Sequence, residues 1–84
     1  MNARRLIVSA LTEANVRPVA GDASMQSFLN GAGDIKFKDV EMDSLARMEF
    51  CISIEVHSGV SIAPDALGEI ESLARLAEMI EART

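Results

Sequence analysis

A single cysteine, Cys51, is all the thiol chemistry this 84-residue chain holds. An intramolecular disulfide is excluded, which fits a reducing compartment. Basic residues are few and scattered, 8 Lys and Arg against 13 Asp and Glu, and only Arg4 and Arg5 sit together. Nucleic-acid binding needs a clustered basic patch and is excluded on that ground. The net charge of −5 suits a basic protein partner instead. Long apolar runs are missing too. The segment from Leu6 to Leu11, behind the two arginines, is interrupted by Ser9 and stopped by Thr12 and Glu13. It is too short for a secretion signal and far too short to cross a bilayer. With the lone thiol, this predicts a cytoplasmic protein with no membrane insertion. Tryptophan and tyrosine are absent, and Phe28, Phe37 and Phe50 are the only aromatics. A chain of this length forms one domain, residues 1–84, and buries only about 60–65% of its unfolded surface. That leaves no room for the deep cleft most enzymes use.

What is present is helical. Leu6, Ile7, Ala10, Leu11 and Ala14 recur at helical spacing, which predicts an amphipathic helix over residues 3–14 that Pro18 and Gly21 stop. From Val16 to Met42 the pattern weakens into a long connection marked by Asp22, Asn30, Gly31, Gly33 and Asp34. "SMQSFLN" within it predicts a short helical turn that tucks Phe28 and Leu29 inward, and Ile35, Phe37 and Val40 pin the rest. A second helix spans Ser44 to His57, with Asp43 as its N-cap and Gly59 as its stop. Pro64 and Asp65 open a short turn. A last helix begins near Ser72 and buries Leu73, Leu76, Ala77 and Ile80. No strand alternation occurs. The expected fold is all-α: a small four-helix bundle, three main helices plus one short helix, with a long first loop.

The second helix is apolar on two opposite sides. At 100° per residue Phe50 and Ile54 lie together, with Cys51 at their edge, and no acid interrupts them. Leu45, Met48, Ile52 and Val56 form the other stripe, with Glu49 within it and Glu55 along its flank. The first side is the expected core. The second has the mixed composition of a surface that meets partners. Ser44 heads that stripe. Free N–H groups and the partial positive charge of a helix N-terminus favour a phosphate there. Asp43 already serves as the cap, which frees Ser44 for another task.

The string "FKDVEMDSLARMEFCISIEVHSGVSI" resembles the core of acyl carrier proteins, including the carrier domains of polyketide synthases. Their pattern is Phe-x-x-Leu-Gly-x-Asp-Ser-Leu, and this chain places Phe37, Val40, Glu41, Asp43, Ser44 and Leu45 at the same spacing. Glu55, "GVSI", "PDALGEI" and "SLARLAEMI" follow in the family's order, so the resemblance covers Phe37 to Ile80. Glu41 replaces the usual glycine, and Ser58 stands where many members carry an aromatic. The resemblance implies a carrier rather than an enzyme. A separate phosphopantetheinyl transferase would attach 4′-phosphopantetheine covalently to Ser44, and the arm's thiol would hold acyl groups as thioesters for fatty-acid, polyketide or related lipid biosynthetic enzymes. Asp43 would cap the helix and assist recognition by the transferase. Leu45, Met48, Glu49, Ile52, Glu55 and Val56 would dock acyl-transferring, chain-elongating or modifying enzymes through basic patches on those partners. The carrier itself would be a monomer.

Other signals carry less. Cys51 has no base nearby and reads as a buried hydrophobe. His57 and Glu55 lack the surrounding ligands of a metal site, so neither a metal nor a catalytic residue is expected. "NGAGD" lacks the Lys-Ser/Thr ending of a phosphate loop and is a turn. Met25, Met42, Met48 and Met79 fill gaps, with Met48 also suited to an adaptable docking face. Two alternatives stay open. One is a helical adaptor with no prosthetic group, in which Ser44 is structural. The other is a peptidyl carrier, against which Asp43 argues because those domains usually have glycine before the serine.

Overall fold

Helix α1, Ala3–Glu13, starts at Asn2, whose side-chain oxygen accepts from the Arg5 N–H at 3.1 Å and satisfies one of the orphan donors of the first turn. Ala3, Leu6, Ile7, Ala10 and Leu11 form its buried face, as their spacing predicts. The computed structural model describes residues 2–16 and 22–83. Pro18 and Gly21, expected to stop α1, lie outside the described residues. The helix has already ended before them, at Asn15, whose φ of 58° is left-handed, a conformation asparagine tolerates better than most residues. The Val16 N–H then closes back on the Leu11 carbonyl at 2.8 Å.

The connection that follows is more ordered than its weak apolar pattern suggests. "DASMQSFL" forms a two-turn helix, α2, Asp22–Leu29, where a single helical turn was expected. Phe28 is fully buried and Leu29 only half-buried. Periodicity under-reports α2 because one deeply buried aromatic does the anchoring that a full apolar stripe does elsewhere. Arg4 of α1 completes the anchor. Its guanidinium donates to the Phe28 and Gly33 carbonyls, both at 2.9 Å, and lies 4.7 Å from the centre of the Phe28 ring. Glycine is required at position 33, since a Cβ there would meet the Ser27 Cβ at 2.9 Å.

Residues 34–37 are then stitched to the start of helix α4, Leu73–Arg83. The Leu73 N–H donates to the Ile35 carbonyl at 2.8 Å and the Phe37 N–H to the Glu71 carbonyl at 3.1 Å. An Asp34 carboxylate oxygen accepts from the Ile35 N–H at 2.7 Å and the Ala74 N–H at 2.9 Å. Partial burial pushes the Asp34 carboxyl up. The hydrogen bonds from Ser72, Ala74 and Ile35, together with the nearby Arg4 charge, outweigh it and hold the group below its ordinary value. Ser72 is the N-cap of α4, accepting from the Arg75 N–H at 3.2 Å. Ile35 and Val40 are buried and Phe37 packs against the core from the side, so all three pin the connection. Phe37–Asp39 forms a single 3₁₀ turn.

Helix α3, Ser44–Ser58, is the central element, packed chiefly against α1 and against the 3₁₀ helix Pro64–Glu69. Gly59 ends it with φ of 78°, where any side chain would be strained. Ser58, which takes an aromatic's place, is held locally: its hydroxyl donates to the Ile54 carbonyl at 2.6 Å and accepts from the Val60 N–H at 3.1 Å. Leu73, Leu76, Ala77 and Ile80 of α4 are buried as expected. The described residues form a bundle of four α-helices and two 3₁₀ helices, with one isolated antiparallel bridge between Lys36 and Ser72. No helix among them is long and apolar enough to cross a membrane.

A polar link between α1 and α3 was not legible in the sequence. Ser53 is buried on α3, and its hydroxyl donates to one Glu13 carboxylate oxygen. His57 Nε2 lies 3.3 Å from the other oxygen. Ser53 donates to the acid and not to the imidazole, so the three do not form a nucleophilic triad, which needs the base on the hydroxyl. The Ser53 and then the His57 hydrogen bond lower the Glu13 carboxyl from its ordinary value.

Candidate functional site

Asp43 sits in extended backbone one residue before α3, and its side-chain oxygen accepts from the Ala46 N–H at 2.8 Å. That is the capping role expected of it, worth about 1 kcal/mol of helix stability. With the cap assigned to Asp43, the Ser44 hydroxyl is exposed and makes no hydrogen bond among the described residues. It opens on a surface cavity of about 600 Å³ walled by Met42, Arg47, Met48, Pro64 and Asp65.

The two apolar sides of α3 separate as predicted. Phe50 and Ile54 are completely buried and Cys51 nearly so, whereas Leu45, Met48, Ile52 and Val56 are 63%, 51%, 52% and 73% exposed. Burial pushes the Cys51 thiol up, away from the reactive thiolate. Glu49 and Glu55 are exposed and form no ion pair among the described residues. The stripe therefore runs from Ser44 along the solvent side of α3. Met48 and Ile52 also face Ile62 and Pro64 across a smaller cavity of about 280 Å³. Four large apolar residues in one row are thus left exposed, an arrangement unfavourable for an isolated domain. Met25, Met42 and Met79 pack against the core as gap-fillers, while Met48 is on the stripe.

Sequence reasoning missed the surroundings of the stripe's N-terminal end. Lys36, Lys38 and Arg47 line a second cavity of about 450 Å³ that shares Met42 and Arg47 with the one beside Ser44. Lys36 and Lys38 are two positions apart on the connection, and the fold sets them beside Arg47 of α3. Among the described residues, no group of three or more His, Cys, Asp and Glu is placed to hold a metal ion.

A family model described as "Phosphopantetheine attachment site" matches residues 29–80. The actinorhodin polyketide synthase acyl carrier protein of Streptomyces coelicolor is 34% identical over 77 residues, which cover 92% of this chain and 79% of that protein. No solved structure matches the chain significantly. The chain belongs to the acyl carrier protein family, whose prosthetic group is covalent 4′-phosphopantetheine. The α3 N-terminus fits that group: an accessible hydroxyl with no structural bond to give up, next to open space and to the free N–H groups of a helix's first turn. Members of the family are carriers and not catalysts.

Proposed function

We propose that this protein carries acyl intermediates of polyketide assembly on 4′-phosphopantetheine attached to Ser44. The observation that carries the reading is the division of labour at the start of α3. Asp43 caps the helix, so Ser44 is left exposed, unbonded and at the head of the apolar stripe. The matched family supports the attachment chemistry, and the name of the Streptomyces relative supports polyketide over fatty-acid assembly.

Each residue then has a task. Ser44 Oγ displaces 3′,5′-ADP from coenzyme A within a separate transferase, forming a phosphodiester, with its proton passing to that enzyme. Asp43 keeps the first turn of α3 in register so that the hydroxyl points outward. The free N–H groups and the positive end of α3 stabilise the phosphodiester's negative charge, an effect of about 0.3–1 kcal/mol at an exposed site. Once attached, the group supplies a thiol on which acyl chains are held as thioesters. Leu45, Met48, Ile52 and Val56 offer partners an apolar strip, and Glu49 and Glu55 steer basic docking patches toward it. Asp43 before the serine favours an acyl over a peptidyl carrier, since peptidyl carriers usually have glycine there.

The test is intact mass. Incubation with coenzyme A and a broad-range phosphopantetheinyl transferase adds one phosphopantetheinyl group to the wild type. Ser44→Ala folds normally and gains nothing. Equal modification of both proteins, or none of the wild type, refutes the assignment.

A further inference from the structure

Three of the eight basic residues line one cavity. Lys36 and Lys38, beside and within the 3₁₀ turn Phe37–Asp39, and Arg47 of α3 line the same 450 Å³ cavity. All three are exposed, and none forms an ion pair among the described residues. Glu71 is the one acid that lines the cavity with them. Its apolar floor is made by core residues, Val40, Leu67 and Ile70. Three cations against one acid give the cavity lining a net positive formal charge in a chain of net charge −5. Because this cavity and the one beside Ser44 share Met42 and Arg47, a group tethered at Ser44 reaches it without crossing the domain.

We propose that this cavity recognises the terminal carboxylate of an acidic acyl group carried on the Ser44 arm, in preference to a neutral acyl group of the same length. The proposal rests on the carrier reading above. Methylenes of the cargo lie on the Val40, Leu67 and Ile70 floor. Its carboxylate is held by Arg47, whose planar fork matches two oxygens, and by Lys36 and Lys38 as point charges. A neutral chain gains the floor alone. Since the cations are exposed, the preference weakens as salt rises. Arg47 and the two lysines thus act as specificity determinants for the cargo.

The experiment loads the wild type and a Lys36→Ala/Lys38→Ala/Arg47→Ala variant from succinyl-coenzyme A and from butyryl-coenzyme A. Both cargoes have four carbons and differ in the terminal carboxylate. Intact mass establishes loading. Circular dichroism checks the variant's fold, which should persist because the three side chains are exposed and make no ion pair. With the terminal carbon of the succinyl group isotopically labelled, NMR titration reads its carboxylate directly. At low salt its acid dissociation constant should be about threefold larger on the wild type than on the variant, as opposite charges nearby favour the ionised form. The difference should vanish in 1 M salt, where screening acts within about 3 Å. Amide signals of Met42 and Ile70 should move in the succinyl form and not in the butyryl form. Equal dissociation constants on the two proteins overturn the proposal. So do equal amide shifts with both cargoes, which would assign the cations to the arm's phosphate. Failure of the wild type to gain mass overturns the carrier reading itself, and the cargo site with it.

Discussion

Truncation of Phe50 and of Ile52 should have opposite consequences, although the two residues are two positions apart on α3. Phe50 is completely buried, and cutting such a side chain to alanine costs about 3–5 kcal/mol in transfer and cavity terms. A domain of 84 residues has a total stability of about 4–13 kcal/mol at 0.05–0.15 kcal/mol per residue. Phe50→Ala therefore removes about a quarter of it or more, and Ile54→Ala, at about 2–5 kcal/mol, about a sixth or more. Ile52 is 52% exposed, so removing its three outer carbons forfeits about half of the roughly 2.4 kcal/mol that full burial would be worth. Alanine's better helix propensity returns about 0.4 kcal/mol. The net cost is about 0.8 kcal/mol, and Met48→Ala should cost about 1 kcal/mol or less on the same grounds. At about 4–8 °C per kcal/mol, the stripe variants should melt within about 8 °C of wild type and Phe50→Ala at least about 12 °C lower. Urea titration followed by circular dichroism is the suitable assay, since the chain has neither tryptophan nor tyrosine to report by fluorescence. Loading by the transferase, measured in parallel, should slow for Met48→Ala and Ile52→Ala although each loses only about 1 kcal/mol or less of stability. Should Ile52→Ala prove as destabilising as Phe50→Ala, α3 is buried on both sides and the docking stripe does not exist.

Two further outcomes test the surface charges and the α1–α3 link. Glu49→Lys/Glu55→Lys should keep the wild-type melting point and slow transfer to or from partners that present basic patches, with the difference shrinking in high salt; a collapse in stability instead would place these acids in structural roles. Glu13 has its carboxyl lowered in the folded protein by Ser53 and His57 from an ordinary value of 4.5, so it contributes stability above that pH and loses it as pH falls through the lower folded value. Urea midpoints at pH 6 and pH 3 should accordingly fall more for wild type than for Glu13→Gln, and an identical fall in both would remove Glu13 from the acid response.

Local rules were enough for much of this molecule. Helix spacing alone placed Leu6, Ile7, Ala10 and Leu11 of α1, and Leu73, Leu76, Ala77 and Ile80 of α4, on buried faces, because an amphipathic stripe has one way to leave water. Asp43, Ser72 and Gly59 announced their helix ends through short-range hydrogen bonding and φ, which involve only neighbours in the chain. The two sides of α3 were separable because acids interrupt one and not the other, and charged groups resist burial without partners. Tertiary structure decided the rest. Ser53, Glu13 and His57 meet only because α1 packs on α3, and nothing in a sequence marks a serine on an apolar side as the donor to an acid 40 positions away. The order of the connection through α2 depends on Arg4 reaching the Phe28 and Gly33 carbonyls from another helix. The shared cavity of Lys36, Lys38 and Arg47 arises in the same way: backbone bonds from Ile35 and Phe37 to the start of α4 fix the loop that carries both lysines, and so set them beside Arg47 of α3.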